Sequence, residues 1–221
     1  MTPVDRPDDG SVTPVDRPDD GAVTPVDRPD AAALRAAAGR TVPDVLAPNL
    51  ELVFCGINPG LWSGAVGHHF ARPGNRFWRV VQAAGFTEEL LDPADERRLL
   101  AHGVGITNLV ARATATAAEL PAAELRRGAA DLERRLAPLR PRALAVLGVT
   151  AYRAAFAQPR AVLGEQAERL ARARVFVLAN PSGAQARYQL PELVEQLAAV
   201  RRALGLAEAE RSRSGPACLR S

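Results

Sequence analysis

A chain of 221 residues with a net charge of +3, two cysteines and not one lysine among its 28 basic residues already excludes several chemistries. Without lysine no side-chain amine can form a Schiff base with a sugar, and Cys55 and Cys218 are too few for a four-cysteine iron–sulfur cluster or a structural zinc site. Reduced thiols in a cytoplasmic protein are the expectation, and no apolar run is long enough to cross a membrane.

The chain opens on a repeat. Thr2-Pro3-Val4-Asp5-Arg6-Pro7-Asp8-Asp9-Gly10 returns at Thr13 to Gly21 and partly at Thr24 to Asp30. It is rich in Pro and Asp and nearly free of large apolar groups, so it cannot bury enough surface to offset its ordering entropy. Residues 1–40 are therefore expected to be a disordered tail and linker, and 207–221 a second disordered tail. No basic start precedes an apolar core, so a secretion signal is not expected. Residues 1–30 hold eight Asp and three Arg, a net −5, which leaves +8 on the rest. That balance suits a polyanionic partner, with which the acidic tail can compete.

One domain over 41–206 remains. Its first signal is Leu52 to Leu61, an apolar run that stops on Asn58-Pro59-Gly60. Such a run reads as a buried strand with Asn58 at its carboxyl end, the edge at which open α/β sheets bind ligands. Asn before Pro-Gly is also an ordinary turn former. The segment 62–74 carries glycines, His68, His69 and Phe70 and is expected to pack as no regular element, leaving Phe70 either pinned beneath the loop or facing the crevice. Adjacent histidines point in different directions and no third ligand is evident, so a polar contact to phosphate or base is preferred over a metal.

Asn75 to Gly85 reads as a capped helix with Phe77, Val80, Val81 and Ala84 on its buried stripe, so Phe77 and Trp78 are expected in the core. A short helix follows over 93–102. Gly105 to Val110 is a second strand, and a charged helix over 121–139 turns Leu125, Ala129, Leu132 and Leu136 inward. Arg142 to Gly148 is a third strand, followed by a helix over 150–156. The fourth strand, Val175 to Ala179, runs into Asn180-Pro181-Ser182-Gly183 and repeats the first theme. A helix over 191–204 closes the domain. Strands alternating with helices predict an α/β three-layer sandwich whose mainly parallel sheet of four to five strands is flanked by helices. The loops 56–60 and 180–187 are expected to face one crevice.

Gly56-Ile57-Asn58-Pro59-Gly60-Leu61, Gly67-His68-His69-Phe70, Pro73-Gly74-Asn75-Arg76-Phe77-Trp78, Gly105-Ile106-Thr107-Asn108-Leu109-Val110 and Asn180-Pro181-Ser182-Gly183 occur in this order. Together they resemble the mismatch-specific uracil/thymine-DNA glycosylases of the uracil-DNA glycosylase superfamily, from about Thr41 to Leu206. The resemblance implies a monomer that flips a base out of double-stranded DNA carrying uracil or a mismatch and hydrolyses its N-glycosidic bond, leaving an abasic site. In the matching positions Asn58 holds the attacking water, with Thr107 as a helper. Phe70 stacks on the base, beside His69, while the backbone of Ile57 and Phe70 meets its polar edge. Asn180, Ser182, Gly183, Ala184, Gln185 and Arg187 are expected to contact the DNA and the opposite strand.

An amide can orient water but cannot take its proton, which suffices if the sugar develops oxocarbenium character first, and a slow enzyme is the expectation. Lacking lysine, the protein is expected to be monofunctional and to need no cofactor. Many relatives carry Leu as an apolar wedge where this chain has Ala184. A methyl group cannot fill the hole left by a flipped nucleotide, so Gln185 or Arg187 substitutes or the hole stays partly open. Relaxed context preference, extending to single-stranded DNA, is expected. Two rival readings are a non-catalytic DNA-binding module on the same fold and a hydrolase of free nucleosides.

Overall fold

A computed structural model describes residues 28–183 and 187–206. The repeat over 1–27, the wedge position Ala184 with Gln185, and the tail from 207 lie outside the described residues.

Five strands build the sheet: β1 (Leu52–Gly56), β2 (Val104–Asn108), β3 (Ala143–Leu147), β4 (Gly164–Leu170) and β5 (Ala173–Leu178), in the order β2-β1-β3-β5-β4. β1 pairs in parallel with β2 and β3, and β3 in parallel with β5, whereas β4 runs antiparallel to β5. Every residue of β1, β2 and β3 is buried, which is why β1 and β3 read as unbroken apolar runs rather than alternations, whereas β2 carries the buried polar Thr107 and Asn108.

The pleat sends neighbours to opposite faces. Leu52 and Phe54 of β1 join one core with helix α3 (Phe77–Ala83) and helix α6 (Leu190–Ala203), whereas Val53 and Cys55 join the other with α4 (Ala122–Leu136) and α5 (Val149–Ala155). The three-layer α/β sandwich expected from sequence is therefore the fold. Phe77 and Trp78 are buried as expected, Phe77 meeting Phe54 edge to face at 5.1 Å between ring centroids. Among the described residues no helix is long and apolar enough to cross a membrane.

Four features differ from the sequence reading. The segment after Gly60 is not irregular throughout: α2 (Leu61–Val66) is helical and ends on Gly67 at φ +81°. Its Gly64 sits where an added Cβ would come within 2.7 Å of the Ala113 Cβ, so the small residue permits a close approach. Residues 31–40, read as linker, contain α1 (Ala31–Ala36), capped by Asp30 and followed by the fully buried Ala37. β4 had no counterpart in the sequence reading because its residues, GEQAERL, are mostly polar and exposed. The segment 93–102 is helical, but as a 3-10 helix.

Candidate active site

The parallel order brings the carboxyl ends of β1, β2, β3 and β5 to one edge, and there a cavity of about 380 Å³ opens. Gly56 to Gly60 forms one wall, Asn180 and Ser182 another, with His69, Phe70 and Asn75 from the loop after α2 and Asn108 and Thr114 from the segment leaving β2. The two strand-end loops thus face one crevice.

Asn58 is half-buried, and its amide orientation follows from its partners. Nδ2 donates to the carbonyl oxygens of Arg112 at 3.0 Å and Pro59 at 3.1 Å and to the Thr114 hydroxyl at 2.7 Å. Carbonyls only accept, so the NH₂ must face them. Thr114, itself buried, donates its hydroxyl hydrogen to the Thr116 carbonyl at 2.8 Å and so accepts from Asn58. With its NH₂ committed, Asn58 keeps Oδ1 as an acceptor with no partner among the described residues. The support runs deeper. Arg112 forms a two-bond ion pair with Glu124 of α4, at 2.7 and 2.8 Å, and the Thr116 N–H donates to Glu119 at 2.8 Å. The Glu124 carboxylate raises the Arg112 pKa, and Arg112 lowers that of Glu124.

Phe70 carries a positive φ of +53°, a conformation that costs a bulky residue about 1 kcal/mol and persists only where neighbours impose it. They do so here. The preceding N–H, of His69, donates to Glu96 at 2.7 Å, and the following one, of Ala71, donates to the Ser63 hydroxyl at 3.2 Å. The Phe70 N–H between them has no partner among the described residues. Its ring stacks on Phe77, with centroids 4.0 Å apart, and still lines the cavity.

His69 is buried, and burial lowers its pKa, so the ring is neutral. Nε2 lies 3.0 Å from the Pro43 carbonyl and must carry the hydrogen, which leaves Nδ1 to accept from Asn108 Nδ2 at 3.3 Å. The Asn108 amide is oriented in turn, and a Cβ at Gly56 would fall 2.4 Å from its Oδ1, so only glycine fits there. His68 turns to the same Glu96 at 3.2 Å. Among the described residues no group of three or more His, Cys, Asp and Glu could hold a metal.

Thr107 stands elsewhere. The pleat turns its fully buried side chain away from the cavity, where the hydroxyl donates to Asp44 at 2.7 Å and accepts from Arg135. Arg135 also pairs with Asp44 and donates to the Asn108 carbonyl at 2.9 Å. The threonine bonded to Asn58 is instead Thr114, in the segment that leaves β2. Burial pushes the Cys55 thiol far up, so it stays protonated.

The second loop is held from below by Arg76. Its guanidinium donates to the carbonyls of Pro181, Ser182 and Tyr188, and its backbone N–H to Pro181 at 3.1 Å. Asn180 Oδ1 accepts from the Ser182 N–H at 2.9 Å, closing a tight turn. A Cβ on Gly183 would lie 2.7 Å from the Gly74 carbonyl oxygen, so the two loops touch backbone to backbone. Arg187 lies over the Tyr188 ring at 5.5 Å.

A solution structure of a protein from Methanosarcina acetivorans, provisionally described as a uracil DNA glycosylase, has a similar fold: 21% identity, 76% of this chain and 98% of that chain covered, and a TM-score of 0.53. The family model described as the uracil DNA glycosylase superfamily matches residues 43–204, a span that takes in both strand-end loops and every element lining the cavity. This chain belongs to the uracil DNA glycosylase superfamily.

Proposed function

We propose that the protein hydrolyses the N-glycosidic bond of uracil flipped out of DNA, as a monofunctional enzyme acting on U:G mismatches and, given Ala184, on uracil in other contexts including single strands. The observation that carries this reading is the Asn58 amide, locked by its NH₂ so that Oδ1 is left to accept from a water. DNA as the substrate is supported by the family.

The flipped base lies on the Phe70 ring. Asn108, oriented by neutral His69, offers Oδ1 to the N3–H of uracil. Cytosine has no hydrogen at that position, so two acceptors would face each other and cytosine is rejected. As the bond to C1′ lengthens, negative charge gathers on the base, for which the unpaired Phe70 N–H is a donor, and positive charge gathers on the sugar. Asn58 Oδ1 holds water on the sugar's other face. It accepts no proton, so the water attacks a sugar that is already cationic and loses its proton to solvent. With no lysine in the chain, the abasic sugar is left uncleaved.

The test is excision from labelled oligonucleotides carrying U:G, U:A and single-stranded uracil. Strand breaks that form only after hot alkali, with measurable activity in all three contexts, support the reading. Strong U:G activity beside equal weakness on the other two would remove the relaxed preference. Bound DNA without abasic product would favour a binding module, and cleavage of free deoxyuridine a nucleoside hydrolase.

A further inference from the structure

A second groove, of about 350 Å³, adjoins the catalytic cavity and shares Phe70, Arg72 and Asn75 with it. Its remaining wall includes Trp78, Arg79 and Leu90. Arg72 and Arg79 are exposed, and neither guanidinium makes an ion pair or hydrogen bond among the described residues. The acid in the lining, Asp92, is occupied in capping the Ala94 N–H at 2.9 Å. Leu90 is 54% exposed, one of only two large hydrophobic side chains so open among the described residues. The Trp78 indole N–H is buried without a partner among them, an uncommon state for a strong donor.

Two uncommitted guanidinium groups beside an open apolar side chain match a phosphate joined to a base. We propose that this groove binds the nucleotide next to the flipped one on the same strand, Arg72 and Arg79 taking its phosphates and Leu90, with the wall at Trp78, seating its base. The inference rests on the reading that the protein acts on DNA. It extends the recognised substrate from one base to a dinucleotide step and supplies a hold on single strands that a duplex wedge does not.

Binding of the full chain to single-stranded oligonucleotides containing one uracil tests this, in an Asn58→Ala background to prevent turnover. The nucleotide on either side of the uracil is replaced in turn by an abasic spacer, and Arg79→Gln and Leu90→Ser are compared with the parent, thermal melting serving as the fold control. One of the two spacers is expected to weaken parent binding about fivefold or more. Leu90→Ser loses a similar amount on intact DNA and becomes indifferent to that spacer, and Arg79→Gln lowers the slope of log affinity against log salt by about 0.7. Unchanged affinity and salt slope in both folded variants, or a spacer effect equal in Leu90→Ser and parent, overturns the proposal. Uracil excision by the wild type is measured separately. Its absence with these binding effects intact refutes the proposed reaction and leaves the groove standing, and its presence without them refutes the groove alone.

Discussion

At the scale of single residues the site depends on amides whose direction is dictated by neighbours. Thr114 acts on Asn58, so Thr114→Val, which keeps the shape and removes the acceptor, is expected to lower the excision rate roughly tenfold or more. Single-turnover kinetics check this, and Thr114→Ser should restore most of the loss. His69 yields a pH prediction. Burial lowers its folded pKa below the ordinary 6.5, so the unfolded chain binds that proton more readily than the folded one. The resulting stability is whole above the unfolded value and is lost as the pH falls through 6.5 toward the folded pKa. Melting temperature should drop between pH 7.5 and 5.5, and His69→Asn should flatten that drop; an identical slope in both proteins would count against a buried neutral ring.

At the scale of elements, Arg76 at the start of α3 connects the two halves of the cavity. Removing its bonds to three carbonyls of the second loop frees the loop expected from sequence to meet the opposite strand, whereas Asn58, Phe70 and Asn108 keep their own supports. Arg76→Gln is therefore expected to weaken binding to U:G duplexes about tenfold while single-strand binding falls less, as measured by titration on both DNAs. Much at this scale could be read from sequence. β1, β3 and the apolar stretch of β5 declare themselves because strands buried on both faces are made mostly of apolar residues, and the capped, striped helices because only one face is covered. β4 stayed hidden because an edge strand needs no apolar run, and α2 because six residues around a glycine carry no periodicity. In the site, the strand-end asparagines were legible from the breaks in apolar runs, while the residues left Phe70 either beneath the loop or facing the crevice and only the family resemblance chose between them. The roles of Asn108, Thr114 and Arg76 were not, since they depend on contacts 39, 56 and 105 to 112 residues away in the chain.

At the scale of the molecule, charge and fold act together. The sheet gathers its loops at one edge, and the +8 carried beyond the acidic repeat favours approach of a polyanion. Deleting residues 1–27, which lie outside the described residues, is expected to tighten DNA binding at low salt and to matter little at high salt, as read from titrations across ionic strength. Unchanged affinity at low salt would mean that the repeat does not compete for the basic surface. The proposed function makes one demand of all of this, hydrolysis at a carbon held opposite Asn58. The most direct measurement is the single-turnover rate of uracil excision from a U:G duplex by wild type and Asn58→Ala, with duplex binding followed in parallel. A loss of about a hundredfold or more in rate with binding retained is the predicted result, and full activity in the variant would contradict the account.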